Sequence, residues 1–278
     1  MKKLLLATTM LVMAGTYAAA DVSISGDGRM GVVSNDGTTS FSSRMRVKFS
    51  GSGTTDGGLS FGGSFRAADA TGAKDGTKGS VYISGAFGKL TMGDTGNAVD
   101  SLVSNVSAVG YGASALDGAQ ELGLLDNADK TAVSYNVSIS GATVEIGSGQ
   151  VDGDNEYYSA AVAYTFGGVS AAIGYESNVD DSQTKASISA NVGPATVKVA
   201  VADRDSADDI GYAISTDFTM AGATVTAYYA NDNADEANMA VGVGYDLGGG
   251  AVFKAGVGSI YDGVESVTVA DAGVSFSF

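Results

Sequence analysis

The sequence predicts an all-β fold, namely a transmembrane antiparallel up-and-down β-barrel of 16 strands. From residue 21 to residue 278, short segments alternate apolar and polar residues, so that one face of each strand suits lipid and the other suits water. Gly, Asn and Asp turns separate these segments. The residues opposite the apolar ones are mostly small, polar or charged, which leaves little core for a soluble sandwich. Closure into a barrel pairs every backbone N–H and C=O group in lipid.

The first twenty residues have the layout of a secretory signal peptide. Lys2 and Lys3 precede an apolar run at residues 4–13, and Ala18-Ala19-Ala20 offers a cleavage site. The alternative is a single anchor helix, but the run is shorter than the roughly 20 residues that a helical span needs. We expect residues 1–20 to be cleaved and residues 21–278 to form one outer-membrane barrel domain.

The first strands show the alternation most clearly. Met45, Val47 and Phe49 fall on one face of a strand, and Arg44 and Arg46 fall on the other. An Asn-Asp-Gly turn at residues 35–37 joins the first two strands. The five strands predicted in this part of the chain cover residues 22–34, 39–52, 58–68, 80–86 and 89–94.

Residues 95–130 interrupt the alternation of apolar and polar residues, and a connection of this length is usually functional or disordered. The alternation then returns for eleven further strands, which brings the count to an even sixteen. Tight glycine turns alternate with longer acidic connections, so we place the tight turns at the periplasmic rim and the long ones outside the cell. The outward aromatic residues suit interfacial girdles or ordinary sheet packing; they are Tyr158, Tyr164, Phe166, Tyr175, Tyr212, Tyr229 and Tyr245.

Composition excludes several classes of function. The chain has 31 acidic residues, and removal of Lys2 and Lys3 leaves 15 − 2 = 13 basic ones, a formal charge of −18 for residues 21–278. Nucleic acid is therefore not an expected partner. The chain has no Cys and no His. It therefore lacks disulfides, the usual general base and the commonest zinc ligands, and we do not expect an enzyme.

Several stretches resemble the alphaproteobacterial sixteen-stranded general-diffusion porins, which are trimeric porins of Gram-negative bacteria. The likeness is carried by residues 25–32, 41–47, 84–94 and 245–250 and by the terminal strand. It implies a homotrimer of barrels in the cell outer membrane, each with a water-filled channel for passive diffusion of small hydrophilic solutes and ions. It also implies that the third external loop folds inward, and residues 95–130 occupy its place.

The resemblance further implies that basic residues of the wall face acidic residues of the inward loop at a constriction. Alternation independently places the wall candidates on the polar face, where they line the lumen or form a solvated rim. Asn105 and Ala108 stand where the resemblance implies carboxylates. The candidate constriction residues are Arg29, Arg44, Arg46 and Arg66 on the wall, and Asp94, Asp100, Asp117, Glu121 and Asp126 on the loop.

Two further motifs concern the ends of the barrel sequence. The last strand alternates Val274, Phe276 and Phe278 with polar residues, and a terminal Phe is the recognised signal for the outer-membrane assembly machinery. Gly26, Gly28 and Gly31 match the Gly-x-Gly-x-x-Gly pattern of dinucleotide sites. That motif requires a preceding strand and a following helix, whereas here it lies inside a strand, so we do not expect nucleotide binding.

Expected partners are membrane lipid, lipopolysaccharide and the diffusing solutes. No cofactor is required, although structural Ca²⁺ could bind acidic clusters at residues 152–154, 180–181, 208–209 and 232–236. The main alternative function is an outer-membrane adhesin or envelope anchor without an open channel. A second alternative is a secreted, calcium-dependent β protein, but the chain lacks the tandem nonapeptide repeat of that class.

Overall fold

The structure is a computed structural model, and it describes residues 21–125, 132–149, 156–232 and 237–278. The predicted signal peptide, Asp126 and the acidic clusters at 152–154 and 235–236 lie outside the described residues. Sixteen strands are present. They are β1 (Asp21–Asn35), β2 (Thr38–Thr54), β3 (Ser60–Arg66), β4 (Ser80–Gly85), β5 (Gly88–Gly93), β6 (Ala132–Ile139), β7 (Ala142–Ser148), β8 (Tyr157–Phe166), β9 (Val169–Asn178), β10 (Ser182–Val192), β11 (Ala195–Arg204), β12 (Gly211–Met220), β13 (Ala223–Asn231), β14 (Ala237–Gly248), β15 (Ala251–Tyr261) and β16 (Ser266–Ser277).

The strands form a closed barrel in which each strand pairs antiparallel with the next one, and β1 pairs with β16. The predicted sixteen-stranded up-and-down barrel is therefore confirmed. Among the described residues, no helix has the length and hydropathy to cross a bilayer. One local expectation was wrong: the third strand was predicted to reach residue 68, but β3 ends at Arg66 and is followed by a 3₁₀ turn at Ala67–Asp69 and a short helix α1 at Ala70–Lys74. Its alanines are good helix formers.

The register of β1 and β2 fixes which side chains face the lumen. Arg44 lies opposite Arg29, and Arg46 lies opposite Asp27. Met45, between the two arginines, is 70% exposed on the outer surface. Because neighbouring residues of a strand point to opposite faces, the arginines point into the barrel.

The barrel closes where the C-terminus meets β1. Gly26 and Phe278 exchange two backbone hydrogen bonds, with N···O distances of 2.8 and 3.0 Å. The Phe278 and Phe276 rings cover Gly26 and Gly28 on the outer surface so closely that a Cβ at either glycine would approach ring atoms to 2.4 and 2.5 Å. The glycines of the Gly-x-Gly-x-x-Gly match therefore serve packing between β1 and its neighbours.

The two rims of the barrel differ as predicted. At one rim, here called the turn rim, most connections are two-residue turns such as Gly167-Gly168 and Gly249-Gly250, whose glycines have positive φ. Both ends of the described chain lie at this rim. The opposite rim, here called the loop rim, carries most of the longer connections. Its exception is the two-residue turn Asp36-Gly37 between β1 and β2.

Candidate functional site

The connection between β5 and β6 folds into the barrel, and its described part, residues 94–125, is called the lumen loop. A short helix α2 (Ala98–Leu102) opens it, and Asn97 caps this helix by accepting a hydrogen bond from the Asp100 N–H at 2.7 Å. Apolar residues along the loop are buried against the inner wall of β8 to β16. These residues are Val99, Val103, Val106, Val109, Tyr111, Leu116 and Leu122.

The wall beneath the lumen loop consists largely of alanine and glycine. A Cβ at Gly256 would approach Val109 Cγ1 to 2.4 Å, and a Cβ at Gly273 would approach the Tyr111 ring to 2.8 Å. The missing side chains therefore make room for the loop. Turn patterns in the sequence predict glycine mainly between strands and do not indicate this role. The signal was present, because small residues recur at lumen-facing positions of consecutive strands from β11 to β16.

A buried lysine anchors the middle of the loop. Lys185 on β10 is fully buried, and its Nζ donates hydrogen bonds to Asn105 Oδ1 at 2.5 Å and to the Leu122 carbonyl oxygen at 3.0 Å. Asn105 thus supplies a neutral acceptor at a position where the resemblance implied a carboxylate. Sequence reasoning did not identify Lys185, because alternation shows only that it faces inward.

A buried glutamate anchors the end of the described loop. Glu176 on β9 accepts hydrogen bonds from the Tyr157 hydroxyl at 2.7 Å, from the Leu125 N–H at 3.2 Å and from Gln183 Nε2 at 2.9 Å. Gln183 Nε2 also donates to the Gly123 carbonyl oxygen at 2.8 Å. Three adjacent strands therefore hold this part of the loop.

The stretch of the loop at residues 107–116 is held by β12, β13 and β16. Asp271 accepts hydrogen bonds from Ser114 Oγ at 2.6 Å and from the Tyr111 N–H at 3.3 Å. The Tyr228 hydroxyl donates to the Leu116 carbonyl oxygen at 3.0 Å. On β12, Asp217 accepts from Ser107 Oγ at 2.5 Å, and Ser215 Oγ accepts from the Ser107 N–H at 2.9 Å. Polar anchors and apolar contacts together fix the loop along the wall.

Three of the predicted loop acids lie on the side of the loop away from the wall. Asp100, Asp117 and Glu121 are exposed, although each one follows a buried residue. Although Glu121 is exposed, partial desolvation of its carboxyl group raises its pKa. The Lys185 ammonium partly offsets this rise, and the nearby Asp117 and Asp100 carboxylates add to it. The fourth, Asp94, is exposed at the end of β5, where its N–H donates to the Gly79 carbonyl oxygen.

The predicted wall arginines lie on β1 to β3. Arg46 binds Asp27 through Nε and Nη2, at distances between 2.9 and 3.1 Å, and Arg44 Nη2 lies 3.3 Å from the same carboxylate. Arg66 ends β3 and is exposed. Asp27, which sequence reasoning did not propose for the site, balances part of the arginine charge. The lumen face of β1 to β5 is here called the arginine wall.

The loop approaches Arg29 of the arginine wall at Gly112. A Cβ on this glycine would lie 3.0 Å from both Arg29 Nη1 and Asp117 Oδ2, so these two side chains flank it. In the described ranges, no loop carboxylate lies within 4.0 Å of a wall arginine nitrogen. Loop carboxylates and wall arginines that are separated in this way can set up a field across the lumen.

A family model described as Gram-negative porin matches residues 7–263. The chain belongs to the Gram-negative porin family. The resemblance to Gram-negative porins is therefore confirmed, and so is the predicted location in the cell outer membrane. Family membership also overturns the alternative of a secreted calcium-dependent protein.

Curated relatives and solved structures agree with this assignment. A porin from Rhodobacter capsulatus is 35% identical over 303 residues, which cover 93% of this chain and the whole relative. A porin from Fuscovulum blasticum is 28% identical over 302 residues, with the same coverage. A porin structure refined at 1.8 Å has a TM-score of 0.82 at 32% identity and covers 92% of this chain and 100% of that one. Mutants of a Rh. blastica porin also share the fold, one of them with a TM-score of 0.77 at 24% identity.

The described residues contain no group of three or more acidic side chains that could hold a metal ion. Asp181, in one of the predicted calcium clusters, accepts hydrogen bonds from Ser206 Oγ at 2.5 Å and from the Ser182 N–H at 2.8 Å. This carboxylate joins two loops of the loop rim.

Proposed function

We propose that this porin is a general-diffusion channel in which small hydrophilic solutes and ions cross between the lumen loop and the arginine wall. The observation that carries the proposal is the two-sided character of the loop. Its apolar side is buried against β8 to β16, while its acids project away from that wall, and the uncovered wall of β1 to β5 bears the arginines. Diffusion through water needs no catalysis, so no enzymatic step forms part of the proposal.

In this proposal the constriction works through its charges. Arg29, Arg44, Arg46 and Arg66 stand on one side, and Asp100, Asp117 and Glu121 stand on the other, while Asp94 follows β5 on the side of the arginine wall. Opposed charges orient dipolar solutes and order water, which disfavours apolar solutes that would have to displace that water. The formal charge of −18 for residues 21–278 and the acidic loop rim give a mild preference for cations.

We also propose a homotrimer, with contacts on the outer face of β16 and β1 to β5. The strands β3, β4 and β5 have 7, 6 and 6 residues, fewer than the roughly 9–11 that a lipid-facing strand needs to span a bilayer. Outward tyrosines, which favour membrane interfaces, lie on β6, β8, β9 and β12 to β15 among the described residues. Protein contact rather than lipid fits an arc that contains three of the four shortest strands and lacks outward tyrosine.

Planar-bilayer recording of the purified protein tests the channel proposal. We expect stable conductance in KCl and a reversal potential in a salt gradient that indicates mild cation preference. Swelling of liposomes in sugar solutions measures uptake of neutral solutes. Conductance and swelling that are both absent would support the alternative of a closed barrel used as an adhesin or anchor, and a reversal potential that favours anions would overturn the charge assignment.

The roles of other partners remain predictions. Lipopolysaccharide, the assembly machinery that reads Phe278, and structural Ca²⁺ belong to this group. If Ca²⁺ joins the acidic loop-rim segments, chelation by EDTA should lower the temperature at which the oligomer dissociates on a gel. An unchanged dissociation temperature would count against a structural ion.

A further inference from the structure

A second charged subsite lies beneath the lumen loop, in the half of the lumen nearer the turn rim. A cavity of about 310 Å³ opens there between the wall of β13 to β15 and the loop residues Ala108, Val109 and Gly110. Its volume is at the lower end of the range of small-molecule sites. The candidate constriction residues do not line it, so it is separate from the arginine wall.

The cavity contains one cation and one anion on neighbouring strands. Lys254 on β15 lies opposite Gly244, and Asp246 on β14 lies opposite Val252, so the two charged residues are diagonal neighbours on the lumen face. Side chains in this relation have Cβ atoms about 7 Å apart. Among the described residues the two form no ion pair, and both are exposed.

The surroundings keep these two charges apart and accessible. Lys254 has glycine on both neighbouring strands, Gly244 on β14 and Gly273 on β16, so neither strand places a side chain beside it, although the Tyr111 ring of the loop lies over Gly273. Asp246 Oδ1 accepts a hydrogen bond from the Gly248 N–H at 2.8 Å, which fixes the carboxylate near the turn. The remaining polar lining consists of hydroxyl groups from Thr224 and Thr226.

We propose that Lys254 and Asp246 form a binding subsite for small zwitterions such as free α-amino acids, a ligand class that rests on the proposed channel function. The ammonium group of the solute would bind Asp246, and its carboxylate would bind Lys254. Because no ion pair within 4.0 Å joins these two described side chains, both remain available to a solute that carries the two charges on adjacent carbons. A neutral polyol can use only the hydroxyl groups and gains neither charge-assisted hydrogen bond.

A matched control is available on the same wall, four strands away. Lys198 on β11 also faces the lumen and lines a cavity beneath the loop, of about 280 Å³. Its diagonal acid Asp217 already accepts hydrogen bonds from Ser107 Oγ at 2.5 Å and from Thr226 Oγ1 at 2.7 Å. Lys198→Ala therefore removes the same charge without disturbing an accessible pair of opposite charges.

The experiment is single-channel recording with glycine or glycerol added on the turn-rim side. We expect glycine to reduce the KCl current of the wild-type channel. Lys254→Ala and Asp246→Asn should each raise the half-blocking concentration of glycine about fivefold, because each removes one charge contact of roughly 1 kcal/mol. Glycine should block the Lys198→Ala channel at the same concentration as the wild-type channel. Glycerol should block every channel weakly and equally. Equal half-blocking concentrations of glycine for wild type, Lys254→Ala and Asp246→Asn would overturn the subsite. The subsite would also be overturned if Lys198→Ala raised the half-blocking concentration as much as Lys254→Ala does. KCl conductance without glycine reports the channel itself, so its absence would instead refute the proposed function.

Discussion

At the scale of single residues, glycine has two distinct roles in this porin. In the turns, glycines such as Gly167 and Gly168 adopt positive φ, which side chains disfavour. On the wall, Gly256 lies under Val109 and Leu116 because any side chain would occupy the space of the loop. The first role can be read from turn patterns, whereas the second depends on what folds over the strand.

We predict that Gly256→Ala destabilises the protein by about 1–3 kcal/mol, the usual cost of overpacking. The added Cβ would approach Val109 Cγ1 to 2.4 Å and the Gly110 nitrogen to 3.1 Å, so the loop must shift. Thermal unfolding followed by circular dichroism measures the effect. Gly51→Ala is the control, because a Cβ there meets nothing within 4 Å. Equal melting temperatures for the two variants would contradict the close approach of loop and wall.

At the scale of elements, the lumen loop keeps its position through a few buried polar contacts. Lys185, Glu176 and Asp271 each lie on a different strand, and each binds a separate part of the loop. Inward-facing charged residues could be predicted from alternation. Their partners could not be predicted, because those partners are 51 to 160 positions distant in sequence.

We predict that Lys185→Met loosens the loop. The substitution keeps the length of the side chain but removes the donor to Asn105 and to the Leu122 carbonyl, at a cost of about 1–3 kcal/mol for a buried acceptor left without a donor. Single-channel current noise should rise, and the melting temperature should fall. Lys198→Met is the matched control and should leave both quantities close to wild type. If Lys185→Met has the current noise and the melting temperature of wild type, Lys185 does not hold the loop in place.

The raised pKa of Glu121 predicts a pH dependence of selectivity. Because burial favours the protonated form, this carboxyl takes up a proton at a higher pH than an ordinary surface carboxyl. Its contribution to stability is therefore present at low pH and is lost as the pH rises through the raised pKa. Lowering the pH should reduce cation preference, since the loop then loses a negative charge. Reversal potentials of wild type and Glu121→Gln, measured from pH 7 to pH 4, test this. If the cation preference of Glu121→Gln decreases over the same pH range as that of wild type, another group is responsible.

At the scale of the whole molecule, closure of the barrel depends on the last residue. Phe278 contributes two backbone hydrogen bonds to Gly26 and a ring that covers this glycine. Packing and the predicted assembly signal therefore coincide at one residue. A variant that retains the backbone separates the two roles.

We predict that deletion of Phe278 sharply reduces assembly into the outer membrane. Phe278→Ala keeps the backbone hydrogen bonds to Gly26 and loses only the ring. If the ring is the signal, assembly of both variants should fall to a similar level in membrane fractions. Normal assembly of the deletion variant would refute the signal. If Phe278→Ala assembles normally while the deletion variant fails, barrel closure and not recognition is the essential role.

The sequence by itself determined the strands, their order, the outward and inward faces and the location in a membrane. These properties follow from a period of two residues and from the chemistry of turns, both of which act over a few positions. Only the tertiary structure decided where the lumen loop lies, that Asn105 binds Lys185, and that Lys254 and Asp246 share a cavity. These contacts join distant segments, and their free energies depend on side chains that meet only after the barrel has closed.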